Sequence, residues 1–587
     1  MKKIFTLLLS VAISIVLIGC DSSLTSETSS IASTTSSSQL GTSMTSTENT
    51  SVTTMQSTTL STRNNEKENI LLDFDLSSIE YLSPTKEFSL HSMISNDVIF
   101  QQQKEIRIFG KAEAGTIILI KLTKDLDNSE NYTNYAIVPE NGEWISSLPA
   151  LEASFDTYTL TISDTIHESY ITNCLIGEVW LISGQSNMEL KVREMDLGYD
   201  LFNSVNEEYI RVFHQARLNN NSLFPYEPSY DVINGSWKIA NQYDHISDAS
   251  GIGFSFAYRL FYVFLQQGLQ VPVAIINTPI GGTQIQSWLP RAEVQNNTTL
   301  SNYVISHGYE TGFVGWNSKG WNNHNQVSAN FNLKISPLSN FNIKGVAWYQ
   351  GESDPVYQES VISIKALIDS WSEIFNKNDE LLYFALIQVA PYDGADPFLG
   401  NSSNWYSGFA FHRRAQFDIV MDPIYSQKVF IVPIYDIDLK WDVPTSQFAW
   451  ADPIHPVVKL PVGQRLSKMV MSFVYLKDEE YLAPLFDSIE LGDDYITIQF
   501  NNVGTGLQFI KNPENGVTTV EVILYSGVKV NVEAQIISFN SIRLVYQNIE
   551  DVQYVSYSNL SRNELSNLAG SNGIPVIPFV IEVGLFS

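Results

Sequence analysis

Ser186 stands in a sequence context that could make its hydroxyl a nucleophile. Residues 179–182 are apolar and predict a buried strand, and the turn SGQSN (residues 183–187) separates them from a helical stretch. In this segment, the small Ser183 and the glycine Gly184 permit a sharp strand-to-helix turn. Such a turn would expose the serine oxygen and place backbone N–H groups near a developing oxyanion. The spacing is not that of Gly-x-Ser-x-Gly. The alternative is a helix cap made by Ser186 and Asn187.

A nucleophilic serine needs a base, which is usually a histidine oriented by a carboxylate. Of the eight histidines, His455 is the one that follows the last strand predicted for an α/β region and directly precedes a helical stretch. Asp452 lies three residues earlier, so its carboxylate could reach Nδ1 and leave Nε2 facing the serine. Pro453 and Pro456 would stiffen this loop. A solvent-exposed aspartate and histidine in a polar turn are the alternative.

Two further loops offer donors for an oxyanion. The apolar run 272–277 leads into Gly281-Gly282, where the missing side chains let a backbone N–H approach a substrate oxygen. The run 343–348 leads into Gln350, whose side-chain amide could donate to the same oxygen. A helix-start turn and an ordinary polar loop are the alternatives. Four such features at four strand ends, in this order, favour a single site over coincidence.

The elements that must position these residues form an α/β pattern from residue 175 to 479. Apolar strand runs alternate with helical stretches there, which predicts a mostly parallel sheet wrapped by helices, with the site beyond the carboxyl ends of its strands. The predicted strands are 178–183, 209–214, 272–277, 343–348, 382–389 and 429–435, and the helical candidates include 254–267 and 460–475.

Shorter strands flank this region on both sides. Residues 71–174 and 480–587 show brief runs of β-forming residues separated by turn signals, which predicts a β-sandwich at each end of the α/β domain. The N-terminal flank shows no residues that suggest a site. These boundaries give three folded regions, within the number that a chain of 587 residues leads us to expect.

The N-terminus has the pattern of an exported, lipid-anchored protein. Residues 1–20 combine a basic start with one apolar run, which is typical of a secretory signal peptide. Their end, Leu17-Ile18-Gly19-Cys20, resembles the bacterial lipobox, so we expect lipidation of Cys20 and a location on the outer face of the cell membrane. An ordinary signal or an uncleaved anchor is the alternative. Residues 21–70, rich in serine and threonine, predict a disordered tether.

Composition excludes several classes of function. A formal net charge of −29 makes a nucleic-acid partner untenable, because phosphate binding requires a basic surface. The only cysteines, Cys20 and Cys174, allow no disulfide framework and no cysteine-based metal site. Asp436 and Asp438 could suggest calcium, but a polar strand end is the simpler interpretation. We therefore predict no metal and no cofactor.

Four motifs resemble one known family. GQSNM (184–188), GGT (281–283), WYQGESD (348–354) and DPIHP (452–456) resemble the sialate O-acetylesterases and related carbohydrate acetylesterases of the SGNH hydrolase superfamily, over roughly residues 87–580. The resemblance implies an SGNH-type, flavodoxin-like three-layer fold. It implies Ser186 as nucleophile, His455 as base and Asp452 as its orienter. The oxyanion hole would use the Ser186 and Gly282 N–H groups, with Gln350 in place of the superfamily's asparagine.

Two departures from the family bear on the substrate. Arg414 stands where the family often has a glutamate after the residue matching Arg413, and a phenylalanine replaces the tyrosine before Asn332. We expect Arg413, Arg414 and Asn332 near the substrate. The predicted function is removal of O-acetyl groups from sialic acid through an acetyl-enzyme. The alternatives are an esterase for another glycan, such as acetylated xylan, or a surface lipoprotein that binds glycans without turning them over.

Overall fold

A computed structural model describes residues 84–216, 224–306, 324–354, 356–376, 380–392, 408–438, 454–511 and 516–586. The predicted signal peptide, Cys20, the whole predicted tether and Asp452 lie outside the described residues. Within these ranges, no helix combines the length and the apolar character needed to span a bilayer.

The strands of the described ranges are numbered in chain order. They are β1 (Ser89–Leu90), β2 (Ile99–Gln101), β3 (Ile106–Lys111), β4 (Ile117–Lys124), β5 (Asp127–Ile137), β6 (Glu143–Leu148), β7 (Ser154–Ser163), β8 (Glu168–Gly184), β9 (Glu207–His214), β10 (Ser236–Ala240), β11 (Val273–Asn277), β12 (Gly345–Tyr349), β13 (Tyr383–Ile387), β14 (Val429–Val432), β15 (Leu485–Leu491), β16 (Tyr495–Asn501), β17 (Leu507–Phe509), β18 (Val520–Leu524), β19 (Lys529–Asn531), β20 (Ala534–Ser538), β21 (Ser541–Val545), β22 (Val552–Tyr557), β23 (Leu568–Gly570) and β24 (Phe579–Glu582).

The helices lie mostly between the central strands. They are α1 (Ser186–Glu189), α2 (Gly198–Phe202), α3 (Tyr243–Ile246), α4 (Gly251–Gln266), α5 (Arg291–Asn296), α6 (Thr298–Ser306), α7 (Tyr357–Asn376), α8 (Phe409–Met421), α9 (Leu460–Val470) and α10 (Val583–Phe586). Short 3₁₀ helices cover Val192–Glu194, Ile285–Trp288, Ser336–Leu338 and Ile549–Asp551, and π-helical turns cover Phe331–Ile335 and Met471–Leu476.

The central sheet has the strand order β10-β9-β11-β8-β12-β13-β14. Every neighbouring pair from β9 to β14 is parallel, and β10 pairs antiparallel with β9 at the edge. Residues of β12 and β14 are buried throughout, as expected for parallel strands covered on both faces. This confirms the expected α/β character. The three-layer SGNH arrangement and the flanking β-sandwiches stay predictions.

Strand β8 is the element that joins the first flanking region to the central sheet. Its first half pairs with β7 and β2, and its second half lies between β11 and β12. The predicted boundary between residues 174 and 175 therefore falls inside one continuous strand. Cys174 is fully buried there, and this burial raises the pKa of its thiol to about 12. The thiol is consequently an inert part of the core.

Strands at the other end of the chain form antiparallel sheets. Their orders are β15-β16-β21-β20, β17-β23 and β19-β18-β22-β24. Tyr435, which follows β14, packs its ring in the core and donates its hydroxyl to the carbonyl of Val576 at 2.9 Å. Side-chain contacts of this kind attach the C-terminal sheets to the central sheet.

Candidate active site

Ser186 lies where β8 ends and α1 begins. Gly184 has φ +134°, and a Cβ atom built there would sit 2.1 Å from the carbonyl oxygen of Tyr349 on β12. Only glycine fits this backbone geometry, so the absence of a side chain at Gly184 is a steric requirement. The Gln185 N–H donates to the same Tyr349 carbonyl at 3.0 Å, which fixes the turn against β12. Ser186 itself is half-buried.

His455 meets this serine from the loop before α9. Its Nε2 lies 2.9 Å from Ser186 Oγ, although 269 residues separate the two in sequence. His455 is half-buried. This distance allows direct transfer of the hydroxyl proton to the imidazole. The predicted partner of the other ring nitrogen, Asp452, lies outside the described residues.

The loop after β11 passes directly beside the serine. A Cβ atom built on Gly281 would lie 3.3 Å from the Ser186 Cβ. The Gly281 N–H donates to Glu189 Oε2 at 2.6 Å and is therefore engaged within the protein. Gly282 adopts φ +75°, and its carbonyl accepts from Asn325 Nδ2 at 2.9 Å. The Gly281 N–H therefore already has a protein acceptor, which makes it the less available donor for a ligand.

Gln350 lies at the carboxyl end of β12 and is fully buried. Its Nε2 donates to an oxygen of Asp354 and, at 3.3 Å, to the carbonyl of Thr283. Asp354 also accepts from the Ile285 N–H at 3.0 Å, so it ties the loop after β12 to the loop after β11. The Gln350 amide therefore lies between the two loops, with both hydrogens directed at protein acceptors. The longer contact with Thr283 is the weaker of the two.

Three buried polar residues next to the serine were missed by the sequence analysis. We call Asn187, Glu352 and Lys459 the Asn187 cluster. Asn187 Nδ2 donates to Glu352 Oε1 at 2.5 Å and to the carbonyl of Ile454 at 2.9 Å. Lys459 Nζ donates to Asn187 Oδ1 at 2.6 Å. Asn187 and Glu352 lie within the GQSNM and WYQGESD motifs, so their positions in the sequence could have identified them as site residues. Nothing in the sequence around Lys459 distinguishes it from other lysines.

Burial dominates the electrostatics of this cluster. It lowers the pKa of Lys459 to about 7, against the opposing charge of Glu352. It raises the pKa of Glu352, while the hydrogen bond from Asn187 and the charges of His455 and Lys459 lower it. Two ionisable groups of opposite sign thus lie in the protein interior behind the Ser186–His455 pair.

The structure does not place Arg413 at the site. Arg413 is 1% exposed, and its guanidinium donates to the carbonyls of Val389 at 3.1 Å, Ser561 at 3.0 Å and Leu560. Burial lowers the pKa of Arg413 to about 9. Burial argues against the expected substrate contact of Arg413, because both terminal nitrogens of its guanidinium donate to backbone carbonyls.

Arg414 and Asn332 also have partners within the protein. The Arg414 guanidinium carbon lies 4.5 Å from the centre of the Tyr357 ring, on α7. Asn332 is 3% exposed and its Nδ2 donates to the carbonyls of Pro225, at 3.2 Å, and Tyr226. Asn332 thus fastens a loop, and burial argues against its expected contact with substrate. Arg414 is partly exposed but packs on α7.

A cavity of about 440 Å³ opens beside Glu189 and Ile280, adjoining the Gly281 loop. Four cationic side chains line it: Lys191, Arg193, Lys238 and Lys334. Asp248 pairs with Lys191 at 3.0 Å and also with Arg193, so part of this positive charge is balanced. Glu189 and Asp244 line the cavity as well, so its four cationic side chains lie among three carboxylates.

No metal site emerges from the described ranges, in which no group of three or more His, Cys, Asp or Glu side chains could hold an ion. Asp436, considered for calcium, accepts from both terminal nitrogens of Arg465 at 2.6 Å. It is therefore half of a bidentate ion pair at the end of β14.

Known carbohydrate esterases resemble this chain in sequence and in fold. Residues 176–398 match the family model described as carbohydrate esterase, sialic acid-specific acetylesterase. The match includes the Ser186 turn and the loops after β11 and β12, and it ends before His455. The human sialate O-acetylesterase is 24% identical over 426 residues, covering 69% of this chain and 74% of its own length. The mouse sialate O-acetylesterase is 25% identical over 436 residues, covering 69% and 77%.

A solved structure shares the fold. The crystal structure of a carbohydrate acetylesterase from Xanthomonas citri aligns with a TM-score of 0.67 at 22% identity, covering 84% of this chain and 100% of that one. The matches together identify the protein as an enzyme of the carboxylic ester hydrolase class. The curated relatives that it matches are named sialate O-acetylesterases.

Proposed function

We propose that the protein removes O-acetyl groups from sialic acid through an acetyl-enzyme on Ser186. The observation that carries this proposal is the 2.9 Å contact between Ser186 Oγ and His455 Nε2. His455 takes the serine proton as the oxygen attacks the acetyl carbonyl, and Asp452 holds the imidazole in the required orientation. His455 then returns the proton to the departing sugar oxygen. Water, activated by the same histidine, releases acetate and restores Ser186.

Three donors would stabilise the tetrahedral oxyanion: the Ser186 N–H, the Gly282 N–H and the Gln350 amide. Gly281 is less suited because Glu189 occupies its N–H. The Gln350 amide would exchange its 3.3 Å contact with Thr283 for the oxyanion, while Asp354 keeps hold of the other hydrogen. One such donor is worth about 3–4 kcal/mol in the transition state.

Sialic acid carries a carboxylate, which a chain of net charge −29 would repel at long range. The cavity beside Glu189 has four cationic side chains and three carboxylates, and this small excess of positive charge supports a local exception to the repulsion of the substrate carboxylate. The names of the human and mouse relatives point to the same substrate. A neutral O-acetylated glycan, such as acetylated xylan, would make no use of these cations.

The proposal extends to location. The lipobox-like end of the signal peptide supports lipidation of Cys20 and display of the enzyme on the outer face of the cell membrane, above the Ser/Thr-rich tether. Fractionation of producing bacteria tests this. The wild type should remain with membranes and Cys20→Ser should not, whereas equal membrane retention would contradict the anchor.

Acetate release from O-acetylated sialic acid and from acetylated xylan tests the central proposal. We expect the wild type to prefer the sialic acid, and Ser186→Ala to lose at least about 1,000-fold in kcat. Ser129→Ala, at an exposed position of β5, is the matched control and should retain full activity. Preference for xylan would reassign the substrate. Absence of activity on every ester would leave glycan binding as the better explanation.

A further inference from the structure

The Asn187 cluster joins three chain segments that carry the proposed chemistry. Asn187 directly follows Ser186 and is fully buried. Its Nδ2 reaches Glu352 in the loop after β12 and the carbonyl of Ile454, the residue before His455. One side chain thus connects the residue beside the nucleophile to the residue beside the base.

The orientation of the Asn187 amide is determined by its partners. Both Nδ2 hydrogens meet acceptors, a carboxylate oxygen and a carbonyl, while Oδ1 meets the Lys459 ammonium. Rotating the amide by 180° would set hydrogens against the ammonium and an oxygen against two acceptors. The amide therefore has one stable orientation, and that orientation fixes the distance between the Ser186 turn and the His455 loop.

Burial adds a reason for the cluster to remain intact. Glu352 is 3% exposed and Lys459 is 1% exposed. Each charge would be costly alone in the protein interior, and the Asn187 amide bridges them. Because the carboxylate and the ammonium both depend on this amide, its loss would disturb the loop after β12 and the start of α9 together.

We propose that Asn187, held between Glu352 and Lys459, is a positioning residue that sets the Ser186–His455 hydrogen-bond distance. The inference rests on the proposed function. It adds that the geometry of the proposed Ser186–His455 pair depends on a buried amide as well as on Asp452. An error of about 1 Å in the placement of reacting groups can cost about 100-fold in rate, so the expected penalty falls on kcat.

The experiment measures kcat, KM and thermal stability of Asn187→Ala with p-nitrophenyl acetate. We expect kcat to fall about 100-fold with KM changed less than about threefold. The matched control is Asn567→Ala, a buried asparagine of the C-terminal region whose amide also bridges two backbone groups, Gly516 O and Thr518 N. This control should lose stability and keep its kcat. Equal kcat values in the two folded variants would overturn the inference.

A double-substitution cycle tests the link with Glu352. If both residues act through one bridge, Asn187→Ala/Glu352→Ala should be about as slow as either single variant. If the kcat losses of the two single variants multiply in the double variant, the two residues act independently, which would contradict a shared bridge. Asn187→Ser, smaller and still polar, replaces the alanine variant if that variant does not fold. An inactive wild type would refute the proposed function, whereas an active wild type with an equally active Asn187→Ala would refute this inference alone.

Discussion

Ser186 and His455 form a hydrogen bond across 269 residues of sequence, and each is half-buried. Their placement depends on residues that do no chemistry. Gly184 allows the turn, and Asn187 connects the turn to the His455 loop. At the scale of single residues, the candidate site is therefore a hydrogen-bonded serine and histidine beside a glycine turn and a buried amide.

Substitution of Gly184 tests the steric part of this account. A Cβ at Gly184 would meet the Tyr349 carbonyl at 2.1 Å and would also require φ +134°. We expect Gly184→Ala to lower the free energy of unfolding by at least about 3 kcal/mol, because strain and overpacking combine. Gly527→Ala is the control: φ is +81° there but a Cβ meets nothing within 4 Å, so about 1 kcal/mol is expected. Equal losses in denaturant unfolding would contradict the close packing against β12.

Ser186, His455 and the glycine of the turn could be predicted from the sequence, whereas the buried polar residues beside them could not all be. Ser186 and His455 were predicted because a serine in a tight turn and a histidine near an aspartate have recognisable chemistry. Lys459 could not be found this way, since a lysine at a helix start is common and its burial depends on tertiary packing. The position of Arg413 also depends on tertiary packing: its charge suggested a ligand contact, whereas its terminal nitrogens donate to three backbone carbonyls.

At the scale of elements, parallel pairing brings the loops together. Ile182 of β8 lies opposite Asn277 of β11, and Gly184 lies opposite Tyr349 of β12. The apolar runs predicted these strands, with ends that differ by a few residues. The last predicted strand, 429–435, ends at Val432 because Pro433 has no N–H for the ladder. The continuity of β8 was not predictable, since its first half is half-exposed and its second half is buried on both faces.

Arg413→Met tests the attachment of the C-terminal sheets to α8. Removing the guanidinium leaves the carbonyls of Val389 and Ser561 without their buried donor. We expect the free energy of unfolding to fall by about 3 kcal/mol while KM stays unchanged. Arg562→Ala removes an exposed arginine paired with Glu564 and should cost less than about 1 kcal/mol. A raised KM with unchanged stability would restore Arg413 as a substrate contact.

At the scale of the whole molecule, a central parallel sheet presents the site at the carboxyl ends of three adjacent strands, β11, β8 and β12. Antiparallel sheets precede and follow it in the chain. The change from alternating strands to apolar strand–helix pairs was visible in the sequence, so this order of regions could be predicted. The packing of the flanking sheets could not be predicted, because it depends on side-chain contacts, such as that of Tyr435 with Val576, that produce no periodic pattern in the sequence.

Acetylation of Ser186 is the most direct test of the account. The wild type and His455→Ala would be mixed with p-nitrophenyl acetate, stopped in acid within milliseconds, digested, and analysed by mass spectrometry. We predict one acetyl group on the peptide that contains Ser186, formed and lost at rates that match kcat, and none in His455→Ala. Turnover of the ester with no acetyl group on Ser186, or with acetylation that is independent of His455, would contradict the central claim.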